Sequence, residues 1–145
     1  MLRDSETRLT EEEVRLMATV FAMTNGMLVL SDRLDRLPAA RLELLARARR
    51  LAGGTPTLVD LFAEREPRVL VSEHPDRVDV AVLNLGDTPA PRTATVAGVV
   101  REDGDGDRFE LWTGAPVRVR DGVADFGVVP AHAARVVSFA RSDAG

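Results

Sequence analysis

The hydrophobic pattern of the chain changes at Gly53 and Gly54. Before this pair, apolar residues recur at spacings of three and four, which is typical of amphipathic helices. After it, Val, Gly and Pro dominate, and apolar and polar residues alternate with a period close to two, as in half-buried strands. The change predicts an α+β chain with a helical first part and a strand-rich second part.

The first predicted helix begins at Thr10, because Thr10 and Glu13 have the spacing of a capping box. Asn25 and Gly26 are expected to end it, since both tolerate a positive φ. Its apolar stripe has the spacing i, i+3, i+4, i+7 and comprises Val14, Met17, Ala18 and Phe21.

A short, wholly apolar run at 27–30 then predicts a strand buried on both faces, as in a parallel sheet covered by helices. A second helix is predicted from Pro38 to the glycine pair. Its apolar side comprises Leu37, Leu44, Leu45, Ala48 and Leu51, and most of its arginines are expected opposite, at Arg41, Arg47, Arg49 and Arg50. Because one strand cannot form a sheet, residues 1–54 are interpreted as the last units of an α/β structure whose other strands are absent from the sequence.

The second part of the chain predicts an antiparallel sandwich of about seven strands over residues 68–141. A connector with a short helical turn is expected at 55–67, and a tail at 142–145. Clusters of Gly, Pro and Asp separate the predicted strands. These strands are 68–73, 77–85, 92–100, 108–112, 117–120, 123–126 and 134–140.

Composition excludes several classes of function. A length of 145 residues is too short for a complete (β/α)₈ barrel of about 250 residues. The absence of cysteine excludes disulfides, thiolate zinc sites and cysteine nucleophiles. A net charge of −4 argues against a nucleic-acid partner. No apolar run is long enough to span a membrane and no signal peptide is evident, so a cytoplasmic location is predicted.

Residues that could carry chemistry are few. The acidic run at 103–107 resembles the start of a calcium loop but lacks the Gly and Glu required at the sixth and twelfth positions, so a hairpin loop is favoured. His74 and His132 have no paired ligand spacing, and neither a metal site nor a cofactor is predicted. A Ser-His-Asp triad could be drawn with Ser31 or Ser138, but no sequence feature brings such groups together. No catalytic residue is assigned.

Three residues have a weaker claim to a site because of their position. Ser31 and Asp32 follow the predicted buried strand, where functional groups of α/β folds collect, although Asp32 could equally cap the loop before the helix. Arg3 could end another parallel strand. The single tryptophan, Trp112, is expected to pack inside the protein, with stacking on a sugar as the alternative.

Taken together, the segments resemble the C-terminal part of α-galactosidase (melibiase) type glycoside hydrolases. Residues 2–4, 9–13 and 25–34 resemble the end of the catalytic barrel in that family. Residues 80–89 (VAVLNLGDTP), 109–114 (FELWTG) and 129–137 (VPAHAARVV) resemble motifs of its C-terminal sandwich. Leu85 departs from the pattern, since the family often has an aromatic residue there.

The resemblance implies a retaining glycosidase whose two catalytic carboxylates lie about 5–5.5 Å apart. In the family these carboxylates lie on the fourth and sixth barrel strands, and no residue of this chain matches them. The resemblance places only Arg3, Ser31 and Asp32 on the catalytic face, as rim residues.

Two functional hypotheses follow. In the first, the chain is the non-catalytic C-terminal region of an α-galactosidase-like hydrolase, whose full-length parent would bind an α-galactoside. In the second, it is a carbohydrate- or protein-binding sandwich with a helical dimerisation arm. In either case, exposed helix faces could support a homo-oligomer, unless the apolar stripe of the first helix packs on the sandwich.

Overall fold

A computed structural model describes residues 7–26, 35, 37–98 and 106–141. Two helices, α1 (Glu11–Met23) and α2 (Ala39–Leu51), precede all the described strands. The strands are β1 (Thr55–Leu58), β2 (Val69–Glu73), β3 (Arg77–Asn84), β4 (Ala90–Thr95), β5 (Gly106–Phe109), β6 (Pro116–Arg120), β7 (Val123–Val129) and β8 (Ala133–Ala140).

The described strands form two antiparallel sheets, which we call sheet A and sheet B. Sheet A has the order β1-β2-β3-β8, and sheet B has the order β4-β7-β6-β5. The two sheets pack face to face, and the helices cover the other face of sheet A. The layers are therefore helices, sheet A and sheet B, which confirms the predicted α+β class and the sandwich.

The strand β3 lies at the centre of this arrangement. Seven of its eight residues are buried, because both faces of sheet A are covered. Val80 and Val82 point into the core between the sheets, and Ala81 points into the core beneath the helices. One strand thus contributes to both cores through the two-residue period of its side chains.

The capping box of α1 is confirmed. Thr10 Oγ1 accepts a hydrogen bond from the Glu13 N–H at 3.2 Å, and the Glu13 carboxylate accepts one from the Thr10 N–H at 2.7 Å. The buried face of the helix differs in part from the predicted stripe, since Met17 and Phe21 are only half-buried. The fully buried positions are Val14, Ala18, Thr19, Ala22 and Met23, so the helix packs on sheet A within the chain.

The prediction for α2 was wrong at Arg41. This residue, expected on the solvent side with the other arginines, is only 7% exposed. Its guanidinium donates to both carboxylate oxygens of Glu11 on α1, at 2.6 and 3.4 Å. Because a buried charge needs a partner, this contact from the neighbouring helix allows the guanidinium to lie inside.

Sheet A has one strand more than the sequence predicted. Residues 55–58, expected within the connector, form β1 and pair with β2 from Thr55 opposite Glu73 to Leu58 opposite Leu70. The strand has three exposed residues and a proline, so the alternation that marks the other strands is missing. Pro56 lies at the edge of the sheet, where its missing N–H is tolerated.

Strands of sheet B also differ from their predicted bounds, and β5, predicted at 108–112, spans Gly106–Phe109. The segment predicted as 92–100 begins earlier, at Ala90, and ends at Thr95. The strand predicted as 123–126 continues to Val129, because a β-bulge with Gly127 at φ 65° lets it pass the expected end. The predicted buried strand at 27–30 lies outside the described residues.

Candidate functional site

The helices and the sandwich meet at Trp112, in the turn after β5. The indole is 6% exposed, and its Nε1–H donates to Thr19 Oγ1 on α1 at 2.9 Å. The Thr19 hydroxyl in turn donates to the carbonyl of Arg15 at 2.8 Å. The tryptophan side chain therefore joins the sandwich to the first helix through its one polar atom.

Glu110 holds this turn in place from below. Glu110 is buried, with only 2% of its surface exposed. One carboxylate oxygen accepts from the N–H of Trp112 at 2.8 Å and of Val136 on β8 at 3.3 Å. The other accepts from the N–H and the hydroxyl of Thr113, at 2.6 and 2.7 Å. Four donors thus replace the water that a buried carboxylate loses.

The second helix reaches the same turn through Arg47. Its guanidinium donates to the carbonyls of Leu111 and Trp112, at 2.7 and 3.1 Å, and also pairs with Glu43. The backbone of the turn is therefore tied to α2, whereas its indole is tied to α1. We call these contacts of Arg47, Glu110 and Trp112 the clamp.

A further ion pair fixes α1 to sheet A. Arg135 on β8 donates to both oxygens of Glu12, at 2.6 and 3.1 Å. Burial would raise the pKa of Glu12, but the hydrogen bond and charge of Arg135, together with Arg15, hold the pKa below its ordinary value. The carboxylate is thus kept charged at the helix–sheet contact.

A cavity of about 150 Å³ opens beside the clamp. Glu11 and Glu43 are its carboxylates, and each is paired with an arginine, Arg41 and Arg47 respectively. Both carboxylates therefore accept hydrogen bonds from guanidiniums in this structure. The full lining comprises Glu11, Arg15, Ala40, Glu43, Leu44, Arg47 and Trp112.

A second polar cluster lies at one end of sheet A, around Asp79. His74 Nε2 is 3.0 Å from one Asp79 oxygen, and the Ser138 hydroxyl donates to the other at 2.6 Å. The Ser72 hydroxyl is 3.5 Å from the same histidine nitrogen. A triad needs one ring nitrogen for the acid and the other for the nucleophile, so this geometry is not that of a Ser-His-Asp relay.

The same cluster fastens the end of α2. Arg77 donates through Nε to both Asp79 oxygens, at 3.3 and 3.2 Å, and its guanidinium also donates to the carbonyl of Arg50. Gly54 passes directly over the histidine, since a Cβ there would lie 2.2 Å from Ser72 Oγ and 2.7 Å from His74 Nε2. The cluster therefore joins the glycine pair to the sheet.

The motif at 80–89 positions loops at the opposite end of the sandwich. The Asn84 amide nitrogen lies 2.9, 3.0 and 2.9 Å from the carbonyl oxygens of Thr88, Val129 and Pro130. Its carbonyl oxygen accepts from Arg92 at 2.8 Å. A single buried asparagine thus satisfies several backbone carbonyls, which explains a polar residue at the end of the apolar run 80–83.

The remaining predicted residues are located as follows. Arg3, Ser31 and Asp32 lie outside the described residues, as does most of the acidic run at 103–107. His132, at φ 49°, pairs with exposed Asp87 at 3.0 Å.

Within 7–26, 35, 37–98 and 106–141, no group of three or more His, Asp or Glu side chains could hold a metal ion. None of the described helices is long and apolar enough to cross a membrane.

Sequence reasoning missed Glu110, Arg47 and Asp79. Each also contacts a residue that is distant in the sequence: Val136 for Glu110, Leu111 for Arg47 and Ser138 for Asp79. The local pattern contains no signal of these distant contacts. For Glu110 a weak signal exists, because a carboxylate two residues before Trp112 and three before Thr113 has the spacing of a side-chain-capped turn.

No protein-family model matches the chain, and no curated protein sequence matches it. Solved structures do match. α-Galactosidase I from Mortierella vinacea has a TM-score of 0.71 at 18% identity over 96% of this chain and 38% of its own. A variant of a GH27 β-L-arabinopyranosidase from Geobacillus stearothermophilus, in complex with arabinose, has a TM-score of 0.69 at 16% identity over 96% and 34%.

These likenesses show the fold. The helix pair and both sheets together have the fold of a part of α-galactosidase-type glycoside hydrolases, in agreement with the C-terminal part that the motifs indicate. The chain spans 38% and 34% of the length of the two solved structures it matches.

Proposed function

We propose that this chain is the C-terminal, non-catalytic helix-and-sandwich region of an α-galactosidase-like retaining hydrolase. The observation that carries the proposal is the match of the helices and both sheets, over 96% of the chain, to 38% of an α-galactosidase. The likeness includes the joint between helices and sandwich, and not the sandwich alone.

The polar residues of the resembling motifs support this role. Trp112, Glu110 and Asn84 all make structural contacts at joints and loops. The carboxylates beside the cavity are bound to arginines. In this proposal, the catalytic carboxylates and the α-galactoside site belong to the remaining barrel strands, and Arg3, Ser31 and Asp32 would lie at the rim of that site.

The alternative of a helical dimerisation arm has less support. Part of the apolar face that such an arm would offer is occupied within the chain, because Val14 and Ala18 of the predicted stripe pack against sheet A, whereas Met17 and Phe21 are half-buried. A homo-oligomer would have to use the remaining surface, and light scattering of the purified chain would measure its mass.

The test of the proposed function is an assay with an aryl α-galactoside. The chain alone is expected to give no turnover above the buffer blank. The variants Glu11→Gln and Glu43→Gln serve as controls, because they remove the carboxylates at the cavity. Turnover that either variant abolishes would place a catalytic group in this chain and refute the proposal.

A further inference from the structure

The outer face of sheet B carries an ordered surface that the hydrolase role does not use. The helices pack on sheet A, so they lie on the opposite side of the sandwich. Side chains alternate along β6, where Val117 and Val119 are buried and the three residues between and beside them are exposed. The outward positions of the four strands therefore form rows across the sheet.

The first row is apolar. Phe109 lies opposite Pro116, and Val128 lies opposite Pro91. Phe109 is 73% exposed and Val128 is 68% exposed, whereas Phe126 and Phe139 of the same sandwich are 9% and 2% exposed. We call Pro91, Phe109, Pro116 and Val128 the apolar row.

The bulge at Gly127 completes this row. A regular strand with Ala124 and Phe126 inward would also turn residue 128 toward the core. The extra residue shifts the register between Pro91 and Thr93, so Val128 points outward and Val129 returns to the core. Gly127 itself, at φ 65°, has nothing within 4 Å of its Cβ position, so the surface at the bulge is open.

The second row is polar and follows the register of all four strands. Asp107 lies opposite Arg118, Arg118 opposite Asp125, and Asp125 opposite Thr93. We call these four residues the polar row. The Asp107–Arg118 pair is loose, with a distance of 4.0 Å and side chains 67% and 66% exposed. Such a pair contributes little stability, so its donors and acceptors can exchange water for a ligand.

The size of the apolar row argues against a protein partner. With strands about 4.8 Å apart, four strands span roughly 14 Å, and the row is one side chain wide, on the order of 100 Å². A stable protein interface needs about 800 Å² on each partner. The row is long enough for a short chain of sugar rings and too narrow to form the core of an interface.

The charges of the face argue for a neutral ligand. Asp107 and Asp125 flank Arg118, and Arg120, also exposed, follows two residues along β6. Carboxylates and guanidiniums balance, so the face favours neither an anion nor a cation, while it offers many donors and acceptors side by side. A pyranose has an apolar C–H face and an edge of hydroxyl groups, and it fits an aromatic ring next to such a row.

We propose that the outer face of sheet B binds a neutral oligosaccharide, with its rings on the apolar row and its hydroxyl groups toward the polar row. This binding is separate from the proposed hydrolase role, because it uses the side of the sandwich remote from the helices and cleaves no bond.

The test is a titration of the ¹⁵N-labelled chain with raffinose and with isomaltotriose, followed by amide chemical shifts. Saturable shifts at β5, β6 and β7 are expected with at least one saccharide, and none with glycerol at equal hydroxyl concentration. Binding without shifts on these strands, or shifts equal to those with glycerol, would overturn the proposal.

Variants locate the contact. Phe109→Ala is expected to weaken binding about fivefold, whereas Phe109→Tyr, which keeps the ring, preserves it. Phe62→Ala is the matched control, because Phe62 is 100% exposed in the turn after β1, which is an edge strand of sheet A. Equal effects of Phe109→Ala and Phe62→Ala would refute the proposal. So would a dimer in light scattering that Phe109→Ala dissociates, since the occupant would then be a second copy.

Discussion

The two faces of sheet A are held by different forces. The face toward sheet B is an apolar core, rich in valine, with Val80 and Val82 fully buried. The face toward the helices is also apolar at its centre, but polar contacts surround it: the clamp, the Arg41–Glu11 pair and the Arg135–Glu12 pair. A non-directional force holds the first face, whereas directional bonds fix the position of the helices on the second.

The difference has a consequence for the proposed role. A buried ion pair contributes little net stability but is costly when one partner is lost. The contact between the helices and sheet A, which we call the helix joint, therefore fixes the orientation of the helices more than it adds stability. We expect it to open more easily than the sandwich core. In a hydrolase, such a joint would hold the end of a barrel in one orientation on its sandwich.

The largest expected effect is on the core between the sheets. Phe139→Ala removes a ring that is 2% exposed, and we expect a loss of about 3–5 kcal/mol in the free energy of unfolding. Urea denaturation, followed by circular dichroism and by Trp112 fluorescence, would measure it. Both signals should shift together, because the helices cannot stay docked on an unfolded sheet. Phe62→Ala is the control and should change stability by less than about 0.5 kcal/mol.

The next effect tests the clamp. Glu110→Gln keeps the shape but places an amide donor among four donors, and it should cost about 2–3 kcal/mol. Hydrogen exchange should quicken at α1 amides while β3 amides keep their protection. The matched control is Glu64→Gln, because its surface pair with Arg68 lies outside the clamp and should be worth less than about 0.5 kcal/mol. Equal acceleration at α1 and β3 would show that the joint and the core unfold as one unit.

A smaller effect is expected at the glycine pair. Gly54→Ala forces a Cβ within 2.2 Å of Ser72 Oγ, and such overpacking costs about 1–3 kcal/mol. Gly86→Ala is the control, because its Cβ would meet its nearest atom at an ordinary 3.5 Å. Thermal unfolding of the two variants would measure the difference. A Gly54→Ala chain as stable as Gly86→Ala would mean that the histidine cluster shifts at no cost.

The same two faces explain how much of the fold the sequence could predict. Strand β6 alternates buried and exposed residues, and β3 contains the apolar run 80–83, so their inward residues follow from period and register. The clamp could not be predicted, since Thr19 and Trp112 are 93 residues apart and no local pattern relates them. Arg41 was misplaced for the same reason, because its partner lies 30 residues earlier on another helix.

The candidate surfaces follow a similar rule. Composition alone singles out Trp112, because it is the only tryptophan of the chain, and it predicts that this residue packs inside the protein. The rows on sheet B depend on the bulge at Gly127 and on the pairing of β4 with β7, whose paired residues are 28 to 39 positions apart in sequence. A glycine in a strand can signal a bulge, but only the register shows that Val128 and Pro91 then meet.

The smallest expected effect is the pH dependence of the helix joint. The pKa of the Glu12 carboxyl is held below its ordinary value of 4.5 in the folded chain, chiefly by Arg135 acting against burial. A carboxyl group whose pKa is lower in the folded chain than in the unfolded chain stabilises the fold fully at pH values above its unfolded pKa. This contribution is lost as the pH falls through the pKa of the folded chain. The urea midpoint should therefore be lower at pH values below 4.5 than at pH 7. The pKa of Glu13 is also lowered, by its hydrogen bonds with Thr10, and it adds a slope of the same sign.

Two variants separate the joint from the capping box. Glu12→Gln and Arg135→Gln should each lower the urea midpoint at neutral pH, and each should reduce its fall in acid, because each removes one side of the same pair. Glu13→Gln should reduce the fall without changing hydrogen exchange where β8 meets α1. If Glu12→Gln left the fall of the urea midpoint in acid unchanged, the ion pair would not stabilise the contact between the helices and sheet A. The proposed difference between the two faces of sheet A would then be wrong.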